Sequence, residues 1–285
     1  MFQIINTTGF EHFNLEFRIC FEFRASNFEF MLQGHQDKIS LFKRLVKSGN
    51  LGHAYLFYGD SQIGKRFFAH HLAHFLECGE FKICSGTLID VIFIEPDEKG
   101  KIGIQTSRDL KRFLYQKPLR SPKRLSVINE ADKLTPEAQA SLLKLVEDSP
   151  PSTTIIFIAP DPQVLLPPLA SRLMKIYFSR FPKTELEKIL VSSFGISEKD
   201  AKHLARISFG RLGRALELKD GKSLNDDSLE QYVSSKIIDI YLKNKKNYSH
   251  LLSWLIKRES VIRRFNLNPR LQRKAVEAKI EQVNY

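Results

Sequence analysis

A glycine-rich segment with a lysine is the part of the sequence best suited to chemistry. It runs from Gly59 to Gly64 and Lys65, and it follows the apolar run 54–58. Backbone N–H groups of such a loop and of the helix after it present partial positive charge to a phosphate, and the lysine adds a full charge. Strand, glycine loop, lysine and helix in this order predict a phosphate-binding P-loop. Gly59, Gly64 and Lys65 are therefore candidate nucleotide-binding residues.

The residue after the lysine departs from this pattern. A P-loop ordinarily has Ser or Thr there, whose hydroxyl binds magnesium, whereas this chain has Arg66. Magnesium needs oxygen ligands, which a guanidinium cannot supply. The sequence therefore predicts a phosphate site whose fold is intact and whose metal binding is impaired.

Strand and helix patterns alternate on both sides of the loop. Apolar and β-branched runs predict five strands, with amphipathic helices between them. This alternation is typical of a parallel sheet covered by crossover helices, so we predict an α/β fold. Ligands bind such sheets at the carboxyl ends of the strands, where the P-loop lies. The predicted strands are 54–58, 88–94, 124–128, 154–159 and 174–178.

The sequence divides into four predicted parts. Residues 1–30 hold eight of the 22 phenylalanines and no clear period, so we expect an N-terminal extension and interpret Met31 as the true start. Residues 31–179 form the predicted P-loop domain. A small helical domain, the lid, is predicted for 180–220, and a second, basic helical domain, the collar, for 221–285.

Charge and cysteine content set expectations about partners and compartment. A formal net charge of +12 favours nucleic acid or acidic partners. The three cysteines are too few for a disulfide framework. Neither a long apolar run nor a secretory leader is visible, so we expect a cytoplasmic protein without a membrane span.

Three further segments resemble the clamp-loader branch of the AAA+ proteins, in particular its delta-prime family from bacterial DNA polymerase III. They are residues 52–57 before the P-loop, 138–148 and 165–172, and they occur in the family's order. The resemblance covers roughly residues 33–220. It implies an AAA+ domain with a helical lid, followed by a helical collar.

The resemblance also implies a function and roles for single residues. It implies a subunit of a hetero-pentameric ring, with tau/gamma and delta subunits as partners, that helps to place the sliding clamp on primed DNA. Clamp contact would be indirect, and DNA contact would go through phosphates without sequence preference. Arg172 would reach a neighbour's ATP as an arginine finger, Glu130 matches the water-activating glutamate, and Arg214 matches a second sensor arginine.

Three positions depart from the family's ATP site. Arg66 replaces the magnesium-binding hydroxyl, Asn129 replaces an aspartate that supports magnesium, and Pro160 replaces a sensor threonine. Because two of these losses remove metal ligands, we expect no ATP hydrolysis by this chain, no required cofactor and at most weak ATP or ADP binding. An active AAA+ ATPase, such as a motor-type clamp-loader subunit or a helicase loader, is the alternative. A P-loop kinase is a third, which the lid disfavours.

A zinc site is the remaining cofactor question. The family often carries a four-cysteine zinc module after the P-loop helix, where this chain has only Cys78 and Cys84. His70 and His74 could complete a four-ligand set, because positions 70, 74 and 78 share one helical face. The spacing between the cysteines is loose for structural zinc, which needs four fixed ligands. We therefore expect that the zinc has been lost.

Two basic stretches leave alternatives open. The collar could line a DNA path or form a solvated outer face. The loop between the predicted helix 104–115 and the third strand is also basic. Its cations are Lys117, Arg120, Lys123 and Arg124.

Overall fold

The computed structural model describes residues 34–84 and 86–220. In the C-terminal part it describes residues 229, 232–233, 236–237, 240–241, 248–264 and 267–284. The predicted N-terminal extension, the interpretation of Met31 as the start, and much of the segment from 221 to 247 lie outside the described residues.

Five parallel strands form one sheet, which confirms the predicted α/β class. The strand order is β2-β3-β4-β1-β5, so the P-loop strand β1 lies between β4 and β5. Tyr58 aligns with Ala159 of β4 and with Tyr177 of β5, so the carboxyl ends of these strands meet at one edge. The strands are β1 Ala54–Tyr58, β2 Val91–Ile94, β3 Arg124–Ile128, β4 Thr153–Ala159 and β5 Met174–Tyr177.

Helices follow the strands in the predicted order. The sheet domain contains α1 Gln36–Lys47, α2 Lys65–Cys78, α3 Ile104–Leu114, α4 Pro136–Glu147 and the single turn α5 Pro167–Ala170. The lid contains α6 Lys183–Phe194, α7 Glu198–Ile207 and α8 Leu212–Lys219. Two further helices, Ser249–Arg264 and Pro269–Asn284, belong to the C-terminal part.

Local signals explain where α4 begins. The Thr135 side chain accepts a hydrogen bond from the backbone N–H of Ala138, and Pro136 occupies the first helical position. A hydroxyl N-cap satisfies one of the orphan donors of the first turn, and proline loses no intrahelical bond there. The predicted start of this helix is therefore confirmed.

Side chains of alternating direction give the sheet two apolar faces. Tyr55 and Phe57 on β1 pack with the α1 and α2 side, where Phe42 and Phe68 are fully buried. Their neighbour Leu56 packs with the α3 and α4 side. A sheet with helices on both faces buries its central strands on both sides, which is why β1 is continuously apolar and aromatic.

One predicted strand is shorter than expected because of a buried carboxylate. The second strand was expected from residue 88, but β2 begins at Val91. Asp90, fully buried, accepts backbone N–H groups from Leu119, Arg120 and Ser121 at 2.6–2.9 Å. The chain before β2 is therefore anchored to the basic loop instead of continuing the strand.

The same anchor uses part of the predicted basic surface. The Arg124 guanidinium is buried, donates to the Lys117 carbonyl at 2.9 Å and lies 3.7 Å from the Asp90 carboxylate. The Lys123 ammonium donates to the Leu51 carbonyl at 2.7 Å. These two cations stabilise the fold, and Lys117 and Arg120 remain exposed.

The lid and the C-terminal part have apolar clusters of their own. Leu186, Leu190 and Ala215 are fully buried in the lid cluster. Leu255 and Val276 are fully buried in the C-terminal cluster and join its last two helices. None of the helices in the described part of the chain has the length and apolarity that crossing a bilayer needs.

Candidate nucleotide-binding site

The backbone of the P-loop requires glycine at its first position. Gly59 has φ 134°, and a Cβ built there would lie 2.3 Å from the carbonyl oxygen of Phe178. Gly64, at φ 101°, is the N-cap of α2, and its surroundings are open. The two predicted glycines thus give the loop its shape, Gly59 through a close backbone approach and Gly64 through a positive φ.

Lys65 lies inside the loop. It is 7% exposed, and its ammonium donates to the carbonyl oxygens of Gly59 at 2.5 Å and Asp60 at 2.6 Å. The lysine that the sequence assigns to phosphate binding therefore stands at the N-terminus of α2, in contact with the loop's own backbone. A phosphate bound here would have to exchange with those carbonyl contacts.

The lid contacts the P-loop directly. The backbone N–H of Gly213 donates to the Gln62 carbonyl at 2.8 Å, and the Gln62 side-chain amide donates to the Glu217 carboxylate at 2.6 Å. Arg214, the predicted second sensor, is buried, and its guanidinium lies 3.7 Å from Glu217. The structure therefore brings Arg214 to the same side of the lid that touches the P-loop.

Two further contacts hold the P-loop from its flanks. Asp60 forms an ion pair with Arg180, which follows β5. His35, before α1, lies 3.3 Å from the Ile63 carbonyl and packs on the Phe178 ring. Burial lowers the pKa of His35 below its ordinary value. A neutral imidazole is therefore favoured beside the loop.

The positions that would hold magnesium are occupied by an internal network. The Arg66 guanidinium lies 3.0 Å from one oxygen of Glu95, and the Asn129 amide donates to the other oxygen at 2.8 Å. Glu95 directly follows β2, and Asn129 follows β3, where its N–H continues the ladder to the Ile94 carbonyl. The Glu95 carboxylate thus contacts both residues that replace expected metal ligands, Arg66 and Asn129.

Magnesium does not fit this arrangement. The guanidinium of Arg66 is a cation and offers no oxygen, and the nearby Glu95 carboxylate is already shared by two donors. Hard divalent cations need several oxygen ligands in near-octahedral geometry.

The remaining predicted residues of this site contribute less. Glu130 follows Asn129 in the left-handed region at φ 48°, and desolvation, followed by the Asp132 carboxylate, raises its pKa. Pro160 contributes its carbonyl, which accepts the Gly59 N–H at 3.2 Å, and no sensor hydroxyl.

The predicted finger Arg172 makes local contacts. It follows α5, is 43% exposed, and its guanidinium contacts the Glu147 carboxylate at 2.6 Å and the Pro168 carbonyl at 2.8 Å. The guanidinium is thus held near the end of α4 and remains reachable from solvent. Its role towards a neighbouring subunit stays a prediction.

The candidate zinc ligands come together only in part. Side-chain ligand atoms of His74, Cys78 and Cys84 lie within 4.8 Å of one another. Among the described residues this group has three ligands, one fewer than structural zinc needs. His70 instead stacks on Phe93 at 3.8 Å between ring centroids. Desolvation and the neighbouring Cys78 raise the pKa of Cys84 to about 11. Loss of zinc stays a prediction.

Sequence reasoning missed Glu95. Its only signal is its position directly after a short apolar strand, at the edge where the other site residues were expected. Its two partners lie 29 and 34 positions away in the chain, and only the pairing of β2 with β3 brings it beside Asn129.

A family model and two bacterial proteins are similar to this chain. A family model described as DNA polymerase III, delta subunit, matches residues 34–182. The DNA polymerase III subunit delta' of Pseudomonas aeruginosa is 33% identical over 147 residues, which are 47% of this chain and 45% of that protein. The subunit delta' of Bacillus subtilis is 30% identical over 217 residues, covering 71% of this chain and 63% of that protein. The matches thus span less than two thirds of either relative.

A solved structure supports the fold. A DNA polymerase III gamma subunit-related protein from Thermotoga maritima superposes with a TM-score of 0.51 at 18% identity, covering 85% of this chain and 98% of that one. At this identity the likeness concerns the fold alone. Together with the strand order it confirms the predicted sheet with flanking helices and a helical C-terminal part.

Proposed function

Because this chain belongs to the DNA polymerase III delta subunit family, within the AAA+ clamp-loader proteins, we propose that it is a non-hydrolysing subunit of the clamp loader. In this role it helps to place the sliding clamp on primed DNA during replication and supplies an arginine to a neighbouring ATPase subunit. Its partners are tau/gamma-type and delta-type subunits in a hetero-pentameric ring.

The network around Glu95 carries the first half of this proposal. Hydrolysis in P-loop ATPases depends on a metal that bridges the outer phosphates and on a group that activates water. In this chain Arg66 and Asn129 stand at the metal positions and bind Glu95 instead. A subunit with this site contributes to a ring through its shape and its neighbours, and ATP turnover takes place in other subunits.

The exposure of Arg172 supports the second half. Its ion pair with Glu147 is 43% and 38% exposed, and exposed pairs contribute only about 0–1 kcal/mol. The guanidinium can therefore leave Glu147 for a phosphate of a neighbour at small cost. The planar fork of arginine binds a phosphate through two parallel hydrogen bonds.

We propose that this chain contacts DNA through charge alone. The net charge of +12 provides attraction to the phosphate backbone. Lys117 and Arg120 are exposed cations of the sheet domain, whereas Lys123 and Arg124 are engaged by the fold. Contact with the sliding clamp goes through the other subunits.

A reconstituted complex tests the proposal. The clamp loader is assembled with wild-type or Arg172→Ala chain, and its DNA- and clamp-stimulated ATPase and clamp loading are measured. Arginine fingers raise the rate of phosphoryl transfer by about 10³- to 10⁵-fold in other systems. Loss of the finger at one of the ring's several ATP sites should therefore clearly lower the total ATPase rate. Arg172→Lys should rescue poorly, because lysine lacks the planar fork.

The matched control is Arg112→Ala. Arg112 is also an exposed arginine in a carboxylate pair, 3.2 Å from Asp109 on α3. It should leave both rates unchanged. Equal rates for wild type and Arg172→Ala, with assembly confirmed by gel filtration, would remove Arg172 from the mechanism.

A further inference from the structure

Arg66 places a permanent cation at the sequence position that ordinarily supplies a magnesium ligand. It lies in the first turn of α2, next to Lys65, and it is oriented by Glu95 at 3.0 Å. Glu95 is oriented in turn by the Asn129 amide at 2.8 Å. We propose that Arg66 takes over the charge role of magnesium, so that this P-loop binds the polyphosphate of a nucleoside diphosphate free of metal. This inference concerns the chain's own site and is independent of the finger role of Arg172.

The two cations at the start of α2 favour the metal-free ligand. The N-terminus of α2 presents backbone N–H groups, and Lys65 and Arg66 add two cations in consecutive positions. A nucleoside diphosphate without metal carries more negative charge than its magnesium complex. Adding a dication beside a guanidinium is repulsive at short range. Magnesium therefore competes with this site for the nucleotide, whereas in an ordinary P-loop it is part of the complex.

The geometry allows Arg66 to change partners. The Arg66–Glu95 pair is 42% and 37% exposed, so its loss costs little. A phosphate at the helix N-terminus can accept hydrogen bonds from the guanidinium that Glu95 now contacts through one oxygen. Glu95 then competes with the phosphate for the Arg66 guanidinium and so lowers the affinity of the site for nucleotide. Asn129 keeps the Glu95 carboxylate in place after Arg66 has left it.

Nucleotide titrations of the full-length chain test this inference. The probe is ADP with a fluorescent ribose label, titrated in EDTA and again in excess magnesium. Wild type should bind several-fold more tightly in EDTA. Glu95→Gln should bind about two- to fivefold more tightly than wild type in EDTA, because an exposed competing pair of this kind is removed. Arg66→Thr should lose most of the binding in EDTA.

Two variants act as controls. Arg112→Thr removes another exposed, carboxylate-paired arginine and should bind as wild type does. The double variant Arg66→Thr with Asn129→Asp restores both metal-ligand types, and it should bind more tightly in magnesium than in EDTA. Thermal melts of each variant confirm folding before titration.

Three results would overturn the inference. They are tighter binding by wild type in magnesium than in EDTA, unchanged binding in EDTA by folded Arg66→Thr, and no binding by wild type in either buffer.

Discussion

The side-chain amide of Gln62 donates to the carboxylate of Glu217 at 2.6 Å, across 155 positions of sequence. Gln62 belongs to the P-loop and Glu217 to the lid helix α8, and the Gly213 N–H donates to the Gln62 carbonyl beside them at 2.8 Å. The lid is thus joined to the P-loop by side chain and by backbone.

The contribution of this contact can be measured by a double-mutant cycle. Gln62→Ala, Glu217→Ala and the double variant should give a coupling free energy of about 1 kcal/mol, since a net hydrogen bond contributes about that much and charged partners more. Denaturant unfolding supplies the free energies. The comparison cycle uses Gln105 and Asp109, an exposed pair within α3 at 3.3 Å, and should give less. Equal coupling in both cycles would contradict a special role of the lid contact.

Asp90 should be important for stability. Asp90→Asn replaces a buried carboxylate that accepts three backbone N–H groups, and its amide N–H₂ would face donors. We expect a loss of about 3 kcal/mol in the free energy of unfolding, measured by urea denaturation. Asp97→Asn is the matched control, because exposed Asp97 also accepts two backbone N–H groups, and it should cost much less.

The same carboxylate gives an acid-dependent signature. Burial alone would raise the pKa of Asp90, but the backbone N–H groups of Arg120, Ser121 and Leu119 and the charge of Arg124 together lower it below 3.8. The stabilisation is therefore complete above pH 3.8 and is lost as the pH falls through the lower, folded-state pKa. Asp90→Asn should lack this part of the acid unfolding curve, and a curve parallel to wild type would argue against it.

His70 should make the protein less stable in mild acid. Desolvation and then Arg66 lower the pKa of His70 from 6.5 to about 4. Between these values the unfolded chain binds a proton that the folded chain does not, so stability falls as the pH drops from 6.5 to 4. The full effect is on the order of 3 kcal/mol. His35 and His74 are shifted in the same direction.

His70→Phe tests that origin. Phenylalanine keeps a ring against Phe93 but cannot bind a proton, so the variant should lose less stability across this interval. His203→Phe, at an exposed position on α7, is the control and should keep the wild-type slope. Thermal melts at a series of pH values provide the measurement. A His70→Phe slope equal to wild type would assign the acid sensitivity elsewhere.

The isolated chain should not hydrolyse ATP. With Arg66 and Asn129 bound to Glu95, the ligands for the catalytic metal are missing. Phosphate release by the purified chain, with and without primed DNA, should equal that of Lys65→Ala. Turnover by wild type that disappears in Lys65→Ala would instead favour the active ATPase alternative.

The sequence predicted the sheet and the P-loop because both depend on local patterns. Each of these signals acts within a few residues, and its structural effect follows from simple physical rules. Examples are the apolar strand runs, the helix cap at Thr135, and the glycines at 59 and 64. The same holds for Arg66 and Asn129 as departures, since they occupy fixed positions in a motif.

The Glu95 network and the Gln62–Glu217 contact could not be predicted in this way. Each joins residues from different elements, and its existence depends on strand order and lid position, which no periodicity encodes. The cations of the basic loop are a second example, because the sequence predicted a binding surface from residues that the fold uses for its own contacts. Lys123 and Arg124 are cations of the kind that binding surfaces contain. In the fold, Lys123 donates to a backbone carbonyl, and Arg124 lies beside a buried carboxylate.

The close approach of Gly59 to Phe178 has a consequence for what the first glycine of this motif can indicate. Any side chain at position 59 would collide with the Phe178 carbonyl at 2.3 Å, and that carbonyl belongs to backbone leaving β5. Gly59 is therefore required by the packing of two neighbouring strands, whether or not phosphate binds. The presence of this glycine in a P-loop sequence thus reports on the architecture of the sheet and is not by itself evidence of nucleotide chemistry.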